Sequence, residues 1–404
     1  MPSLDARAGV TGTGVRSHPP AVLPALCLTQ ITSWGILYYA FPVLLPDITA
    51  ATGWSATAAT AAFSAALLVS ALVGLPLGRV LDRRGPRAVM TTGSVLGAVS
   101  LLAVAAAPNL VVFGAAWLLA GPAMAATFYH PAFAALTRWW GAHRVRALTV
   151  VTLAGGLAST VFAPLTAVLA QELSWRVTYL VLAVVLAAVT VPAHALALRA
   201  PWPPAPTAGS SAGTPVQVAR SRPFLLLATA LTLSGFAVYA VVIGLVPLML
   251  ERGASTTTAA WALGLSGAGQ TFGRTLYAAL ARRTGTTTRT VSLLAAGGAT
   301  TAALGLVPGP VPLLVALAVL AGMVRGNLTL LQATAVSDRW GTAHYGSLSA
   351  ILAAPVTIAA ALAPWAAAAL MGPFGGYPHV FAALAVVSAV AAVLALGTRV
   401  SSGA

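Results

Sequence analysis

The chain has 404 residues, of which 59% are hydrophobic and only 7% are charged, whereas about a quarter of the residues in an ordinary soluble domain are charged. Because so few charged residues cannot cover the water-exposed surface of a soluble fold, the composition predicts an integral membrane protein. The formal net charge of +15 suggests nucleic-acid binding at first sight, but the basic residues are spread over several short loops and form no single stripe, so we expect no nucleic-acid partner.

Apolar segments follow one another along the chain, each close to the roughly 20 residues that a membrane-spanning helix needs. The twelve segments are about 21–45, 55–80, 87–107, 110–136, 145–170, 176–198, 222–250, 256–281, 289–307, 311–336, 345–371 and 377–397. No short apolar stretch with a small-residue cleavage site precedes the first of them, so we expect an uncleaved first helix. Residues 200–221 are rich in Pro, Gly and Ser, which is typical of a flexible linker.

These segments predict an all-α integral membrane fold of about twelve transmembrane helices. The expected parts are a tail at 1–20, a six-helix half at 21–199, a linker at 200–221, a second six-helix half at 222–397 and a tail at 398–404.

All 21 basic side chains are arginine, and they fall mainly in the tails and in alternate loops between the predicted helices. The arginine-rich loops contain Arg83, Arg84 and Arg87, then Arg138, Arg144 and Arg146, then Arg220 and Arg222, then Arg282, Arg283 and Arg289. The loops of the other side contain only Arg176 and Arg252. This alternation follows the positive-inside rule and predicts a multi-pass protein of the inner or plasma membrane with both termini in the cytoplasm.

The two predicted halves carry matching residues at a nearly constant shift. Ser33, Tyr38 and Pro46 recur as Ser234, Tyr239 and Pro247 at a shift of 201, and other pairs, such as Gly85 with Gly285, recur at 200. Several matches at one shift indicate two homologous halves. In transporters built from such repeats, the substrate site lies near the middle of the membrane, where the halves meet.

The loop after the second segment reads GRVLDRRGPR, residues 78–87. It resembles the loop signature of the major facilitator superfamily, G-x-x-x-D-R-x-G-x-R, with matches at Gly78, Asp82, Arg83, Gly85 and Arg87. The resemblance implies the major facilitator fold, and a gate at these five residues that is remade in each transport cycle. The alternative is a charged turn with no further role. In the second half Arg282 replaces the aspartate, so the two halves do not carry equivalent gates.

Polar residues inside the predicted helices mark a candidate substrate site. Arg274 lies eight residues before Arg282, which is about 12 Å from the helix end at 1.5 Å per residue. Gln270 and Tyr277, at i−4 and i+3, share its face. Arg325 lies at comparable depth in the tenth segment. We further predict His130 and the repeat pair Tyr38 and Tyr239 as residues that orient the ligand; each could instead be a packed core residue.

The six acidic residues lie in tails or near predicted helix ends, so neither Arg274 nor Arg325 has a carboxylate partner at its depth. A dry, unpaired guanidinium is very costly. Three remedies are open: a water-filled cavity, backbone carbonyls at a helix break, or an anion supplied by the ligand. We expect the third for Arg274, which would then pair with the ligand and not with the protein.

Residues 273–285 read G-R-x(10)-G, a spacing similar to that of the eighth helix of monocarboxylate and oxalate/formate porters. In that branch the arginine binds the substrate carboxylate. The resemblance implies secondary active transport of a small organic anion, a carboxylate, with Arg274 as its main anchor and Arg325 second. A proton or a counter-anion would be the coupling partner. The alternative is a proton-driven exporter of larger amphipathic or drug-like compounds.

Enzyme function is not expected. The pattern G-x-S-x at residues 264–267 is common in small-residue helices, and the glycines of GAGQTFG indicate helix packing, because a phosphate-binding loop needs a preceding strand. The single cysteine, Cys27, allows no intramolecular disulfide and no cysteine-based metal cluster. We therefore expect no catalytic residues, no cofactor and no metal site.

Overall fold

The computed structural model describes residues 19–140, 143–202, 215–340 and 345–399, and all the regular structure within these ranges is helical. We number the long helical segments α1 to α12, and two helices that meet at one residue share a number. They are α1 (Val22–Thr52), α2 (Ala56–Arg84), α3 (Pro86–Ala106), α4 (Leu110–Thr127 and Tyr129–Trp140), α5 (Arg144–Gly156 and Ala158–Glu172), α6 (Trp175–Ala197), α7 (Arg222–Glu251), α8 (Thr256–Arg283), α9 (Thr286–Leu306), α10 (Val311–Thr334), α11 (Tyr345–Phe374) and α12 (Tyr377–Leu396).

The prediction of an all-α membrane fold is confirmed. Within the described ranges, ten helical segments are long and apolar enough to cross a membrane. The segments α8 and α9 are not among them, because threonines cluster at their N-terminal ends and α8 also carries Gln270 and Arg274. Both polar side chains on α8 are buried, so the low hydropathy of this helix reflects a polar interior.

The turns between the first two helices of each half are built alike. Gly53 and Gly253 both have a positive φ, of 73° and 82°, which glycine adopts without strain. Two residues further on, Ser55 and Ser255 each accept a hydrogen bond from a backbone N–H in the first turn of the next helix. Both pairs are 200 residues apart, as the repeat predicts.

We call the face of the bundle that carries these glycine turns the opposite face, and the face that carries the arginine-rich loops the terminal face. The two arginines near the opposite face are held at helix C-termini. Arg176 Nη1 donates to the carbonyls of Ala105 and Ala107 at the end of α3, and Arg252 Nη2 donates to the Gly305 carbonyl at the end of α9. A cation is stabilised there by the helix dipole.

We call the zone where the first half (α1–α6) meets the second half (α7–α12) the seam. Near the opposite face, α2 bonds to α11: Thr57 Oγ1 donates to the Ala368 carbonyl at 3.1 Å, and the Trp365 N–H donates to Ser64 Oγ at 3.0 Å. Further along α2, a Cβ added at Gly74 or Gly78 would meet nothing within 4 Å. Hydrogen bonds thus join α2 to α11 near the opposite face, and the space beside Gly74 and Gly78, toward the terminal face, is open; we call this open space the cleft.

The helices α5 and α8 form the other side of the seam. Gln171 donates to the Thr257 hydroxyl near the opposite face, and Thr160 Oγ1 donates to the Gly264 carbonyl at 2.8 Å further along. The Arg274 guanidinium donates to the Thr152 carbonyl. Among hydrogen bonds between described residues of α5 and α8, this one lies nearest the terminal face.

Candidate functional site

The seam is lined at mid-depth by tyrosines and arginines from both halves. The repeat-equivalent tyrosines Tyr38 and Tyr239 meet across it, with ring centroids 6.5 Å apart and an interplanar angle of 76°. Arg325 interacts electrostatically with both tyrosines. The structure thus brings three of the predicted site residues together.

The close approach of α8 and α10 explains the position of the two arginines. A Cβ added at any of four glycines would lie 1.9–2.4 Å from a carbonyl oxygen of the other helix, which is too close for any side chain. These are Gly269 and Gly273 on α8, and Gly322 and Gly326 on α10. Each pair is four residues apart, so each forms a small-xxx-small face on its helix. The packing role predicted for the GAGQTFG glycines is confirmed.

This contact sets the partner of Arg325. With the two backbones so close, the Gln270 side chain on α8 reaches α10, and its amide oxygen accepts a hydrogen bond from Arg325 Nη2 at 3.1 Å. Gln270 is buried, whereas Arg325 is half-buried. Tyr277 does not share this network, because its hydroxyl bonds to the Thr334 hydroxyl at 2.7 Å.

Arg274 has a protein partner, so the expectation that it pairs only with a ligand is wrong for this conformation. Its side chain is 7% exposed, and Nη1 donates to the Thr152 carbonyl of α5. The first helix of α5 ends at Gly156, so Thr152 lies near its C-terminus, where the helix dipole is negative and a carbonyl oxygen can accept a second hydrogen bond. The remedy that this arginine uses is a backbone carbonyl at a helix break.

Three helices of the first half are irregular near the seam. A π-helical turn at Gly35–Tyr39 interrupts α1, α4 is interrupted at Phe128, and α5 is interrupted at Leu157. In the second half, α7, α8 and α10 are continuous. Non-helical backbone is tolerated at membrane depth only where it is buried in protein or lines a water-filled cavity.

The break in α4 has a local cause. Pro131 has no N–H, so the Thr127 carbonyl loses its normal helical donor. Gln30 Nε2 of α1 donates to this carbonyl at 2.7 Å. The Trp34 ring of α1 stacks on Phe128 at 4.0 Å between centroids, so α1 supports the break with both a hydrogen bond and a ring.

The same break changes which residue of α4 reaches the seam. The Tyr129 hydroxyl lies beside the Arg274 guanidinium, whereas His130 is exposed and makes no hydrogen bond with any described residue. The sequence analysis chose His130 because it treated α4 as one continuous helix. It missed Tyr129 and also Tyr39, which interacts electrostatically with Arg325. The only signal was their adjacency to the residues that were chosen.

Three buried donors in α1 have no hydrogen-bond partner among the described residues, the Ser33 hydroxyl and two that belong to aromatic side chains. The two aromatic donors are the Tyr38 hydroxyl, on a side chain that is 2% exposed, and Trp34 Nε1. Arg274 Nε is likewise without a partner. Leaving a buried donor unpaired costs about 1–3 kcal/mol, so the site offers strong positions for an acceptor.

The described carboxylates do not pair with the arginines of the seam. No ion pair between described residues involves Arg274 or Arg325. Glu251 Oε2 accepts the Tyr377 N–H at 2.9 Å at the start of α12, and Asp338 pairs with Arg289. Asp47 is half-buried within α1, five residues before the helix ends. The cluster at the seam is therefore positively charged.

The five predicted gate residues lie at the terminal face. Gly85 has a φ of 75° and joins α2 to α3, and Arg83 is exposed. Arg87 Nε donates to the Ala195 carbonyl at 2.9 Å, near the C-terminus of α6, so it is bonded within its own half. The Asp82 side chain lies outside the described part of the structure. The gate function stays a prediction.

The sequence matches the profile described as Major Facilitator Superfamily over residues 26–311 and 225–402. The chain belongs to the Major Facilitator Superfamily. Members of this superfamily and the solved structures that resemble this one are transporters and not enzymes.

Curated relatives in the superfamily include two monocarboxylate transporters. The chain is 27% identical over 252 residues to monocarboxylate transporter 13 of Bos taurus, which covers 62% of this chain and 57% of the relative. It is 30% identical over 219 residues to monocarboxylate transporter 11 of Homo sapiens, and this aligned region covers 52% of this chain and 46% of the relative. The chain thus spans about half the length of these relatives.

Solved superfamily structures share the fold. A bacterial homologue of the human lysosomal transporter Spinster, in an inward-facing and occupied conformation, superposes with a TM-score of 0.72 at 14% identity and covers 94% of this chain and 96% of that one. A mutant of the nucleoside transporter NupG gives a TM-score of 0.73 at 14% identity, covering 94% and 99%. At such low identity these likenesses concern the fold alone.

Proposed function

We propose that the protein is a secondary transporter that moves a small organic anion, a carboxylate, across the membrane by alternating access. One observation carries the proposal: two arginines meet tyrosines from both halves at the seam, and neither arginine forms an ion pair with a described residue. A ligand carboxylate would supply the missing negative charge, and Arg–carboxylate contacts are strong and planar. The monocarboxylate-transporter names of the curated relatives support the same class of substrate.

The proposed cycle follows from the cleft. We take the terminal face as cytoplasmic, because the arginine-rich loops lie there, and the membrane as the inner or plasma membrane. The cleft between the halves then opens to the cytoplasm. In the other state the contacts of α2 with α11 and of α5 with α8 would re-form near the terminal face and open near the opposite face. The halves at 21–199 and 222–397 would move as units about the linker at 200–221.

The anion would bridge the halves. Its carboxylate would bind Arg325 on α10, and a further acceptor atom would bind the Tyr38 hydroxyl or Trp34 Nε1 on α1. Binding to both halves gives a ligand different contacts in the two states, which is what a ligand needs in order to shift a conformational equilibrium. The coupling partner would be a proton or a counter-anion.

Transport by purified protein in liposomes tests the proposal. The panel is acetate, pyruvate and benzoate as carboxylates, with tetraphenylphosphonium as a hydrophobic, drug-like cation, each measured with and without a pH gradient. We expect uptake of at least one carboxylate, and loss of that uptake in Arg325→Gln but not in Arg283→Gln, an exposed arginine on α8. Uptake of the cation alone would support an exporter of amphipathic compounds and contradict our proposal.

A further inference from the structure

The two arginines of the seam are held in different ways. Arg325 is half-buried, and its hydrogen bond goes to a side chain of its own half, Gln270. Arg274 is buried, and its bond goes to a backbone carbonyl of the other half, that of Thr152. In this conformation an anion that enters the cleft can therefore reach Arg325, whereas Arg274 is already occupied.

The surface of α5 is shaped to hold Arg274. A Cβ added at Gly156 would lie 3.1 Å from Arg274 Nη1 and 2.6 Å from Thr271 Oγ1, and one added at Gly155 would lie 2.4 Å from the Tyr129 hydroxyl. An added Cβ at these positions would displace Thr271 and the Tyr129 hydroxyl, and it would push the guanidinium away by a few tenths of an ångström. We call Gly155 and Gly156 the glycine socket.

The socket lies where the halves begin to part. Between described residues of α5 and α8, the hydrogen bonds that run from the opposite face end at Arg274 and Thr152. A rearrangement that separates α5 from α8 at this level must break this bond. The freed guanidinium then needs another acceptor, because no described carboxylate pairs with it and a buried unpaired charge is very costly.

We infer that the two arginines act in sequence, a division of roles that rests on the proposed function. Arg325 binds the anion first, in the conformation with the cleft open at the terminal face. Arg274 holds α5 against α8 in this conformation, and it exchanges the Thr152 carbonyl for the bound anion as the halves move. Arg325 therefore sets affinity in the open state, and Arg274 sets the rate of the conformational change. This order is the reverse of the one predicted from the sequence.

The first test separates binding from transport. The probe is the carboxylate of the acetate, pyruvate and benzoate panel that the wild type transports, and binding is measured by calorimetry on purified protein. We expect Arg325→Gln to weaken binding about 10- to 150-fold, the effect of one lost charge-assisted hydrogen bond. Arg274→Gln should change the dissociation constant less than about 3-fold but reduce exchange more than tenfold. The exposed Arg283→Gln should change neither. Equal losses of binding in the Arg274 and Arg325 variants would overturn the inference.

The second test acts on the socket. Gly156→Ala should reduce exchange and leave binding of the same carboxylate as strong as in the wild type or stronger, because Arg274 can no longer seat against α5. Gly114→Ala is the matched control, since its added Cβ would have only one neighbour, the Ala62 Cβ at 3.9 Å. Melting temperatures show whether each variant is folded. Normal exchange by a folded Gly156→Ala protein would contradict the socket.

The third test needs no transported substrate. Phenylglyoxal modifies accessible arginines, and peptide mass spectrometry locates them. In the empty protein we expect Arg325 to react faster than Arg274, with Arg283 as the exposed reference, and we expect Gly156→Ala to raise the reactivity of Arg274. Equal reactivity of Arg274 and Arg325 in the wild type would refute the division of roles. If no carboxylate is transported while this pattern holds, the proposed substrate is wrong but the sequestration of Arg274 stands.

Discussion

Arg325 Nη2 donates a hydrogen bond to the Gln270 amide oxygen at 3.1 Å, and this bond joins α10 to α8 beside the seam. The partner is a neutral amide where a carboxylate would neutralise the arginine. The choice keeps the guanidinium oriented while its positive charge remains available to an anion.

Replacing that amide by a carboxylate should therefore inhibit the protein. In Gln270→Glu, an internal ion pair with Arg325 would compete with the ligand, so we expect anion binding to weaken by about tenfold or more, with the melting temperature of the empty protein unchanged or raised. Calorimetry and thermal melts measure the two effects. Gln217→Glu makes the same change at an exposed position and should alter neither. Normal binding by Gln270→Glu would show that Arg325 does not meet the anion.

The unpaired Tyr38 hydroxyl should contribute to binding and not to folding. Tyr38→Phe removes a buried donor that has no partner among the described residues, so stability should stay the same or rise. Anion affinity should fall about 2- to 12-fold, the range of one net hydrogen bond. Tyr179→Phe is a matched control, because that hydroxyl is also buried without a partner but its ring packs on Trp117 and Trp175 of the first half. Equal effects on binding in both variants would remove Tyr38 from the site.

The packing of α8 on α10 should be the most sensitive contact in the second half. In Gly273→Ala the new methyl would lie 2.0 Å from the Met323 carbonyl oxygen, so the helices must separate. We expect a loss of about 1–3 kcal/mol, seen as a lower melting temperature, together with weaker anion binding because Gln270 moves away from Arg325. The Gly114→Ala variant should melt like the wild type. An unchanged melting temperature in Gly273→Ala would mean that the two helices are farther apart than described.

The gate predicted from GRVLDRRGPR can be tested at Asp82. Asp82→Asn should insert and fold normally but slow turnover, because it removes a charge that must re-pair in each cycle. Ligand binding in detergent should change much less than transport, and the ratio of the two measurements is the readout. Transport at the normal rate would exclude a gating role for Asp82.

Proton coupling, where it occurs, should depend on His130. Neither seam arginine has a described carboxylate partner, and the unperturbed histidine pKa lies closest to neutrality among side chains. His130→Gln should abolish accumulation driven by a pH gradient and leave anion exchange intact, and both are measured in the same liposomes. Uptake that is still driven by the gradient in His130→Gln would place the proton pathway elsewhere, for example on the substrate itself.

The parts of the site that follow from the spacing of residues along the chain could be predicted from the sequence. The repeat paired Tyr38 with Tyr239, and these rings meet. Helical spacing grouped Gln270 and Arg274 on α8, but spacing within one helix does not show which neighbouring helix packs closest. Gln270 therefore turned out to bond to α10 and Arg274 to α5.

The predictions made from the sequence were wrong where a helix is interrupted. A continuous α4 would carry His130 on the face of Thr127, but the break at Phe128 shifts that face and brings Tyr129 to Arg274. Pro131 signals a possible break, but not the change of direction that follows it. The hydrogen bond of Arg274 to the Thr152 carbonyl could not be predicted either, because the sequence does not show which backbone of the other half lies beside Arg274.

The interruptions in α1, α4 and α5 have no counterpart in α7, α10 and α11, the helices with which the sequence repeat pairs them. The second half carries both seam arginines on unbroken helices, whereas the first half supplies the backbone carbonyl that one of them binds. The two halves thus differ in kind as donor and acceptor, so a chimera that joins one half of this protein to the other half of a relative should transport only if it keeps that donor–acceptor pair.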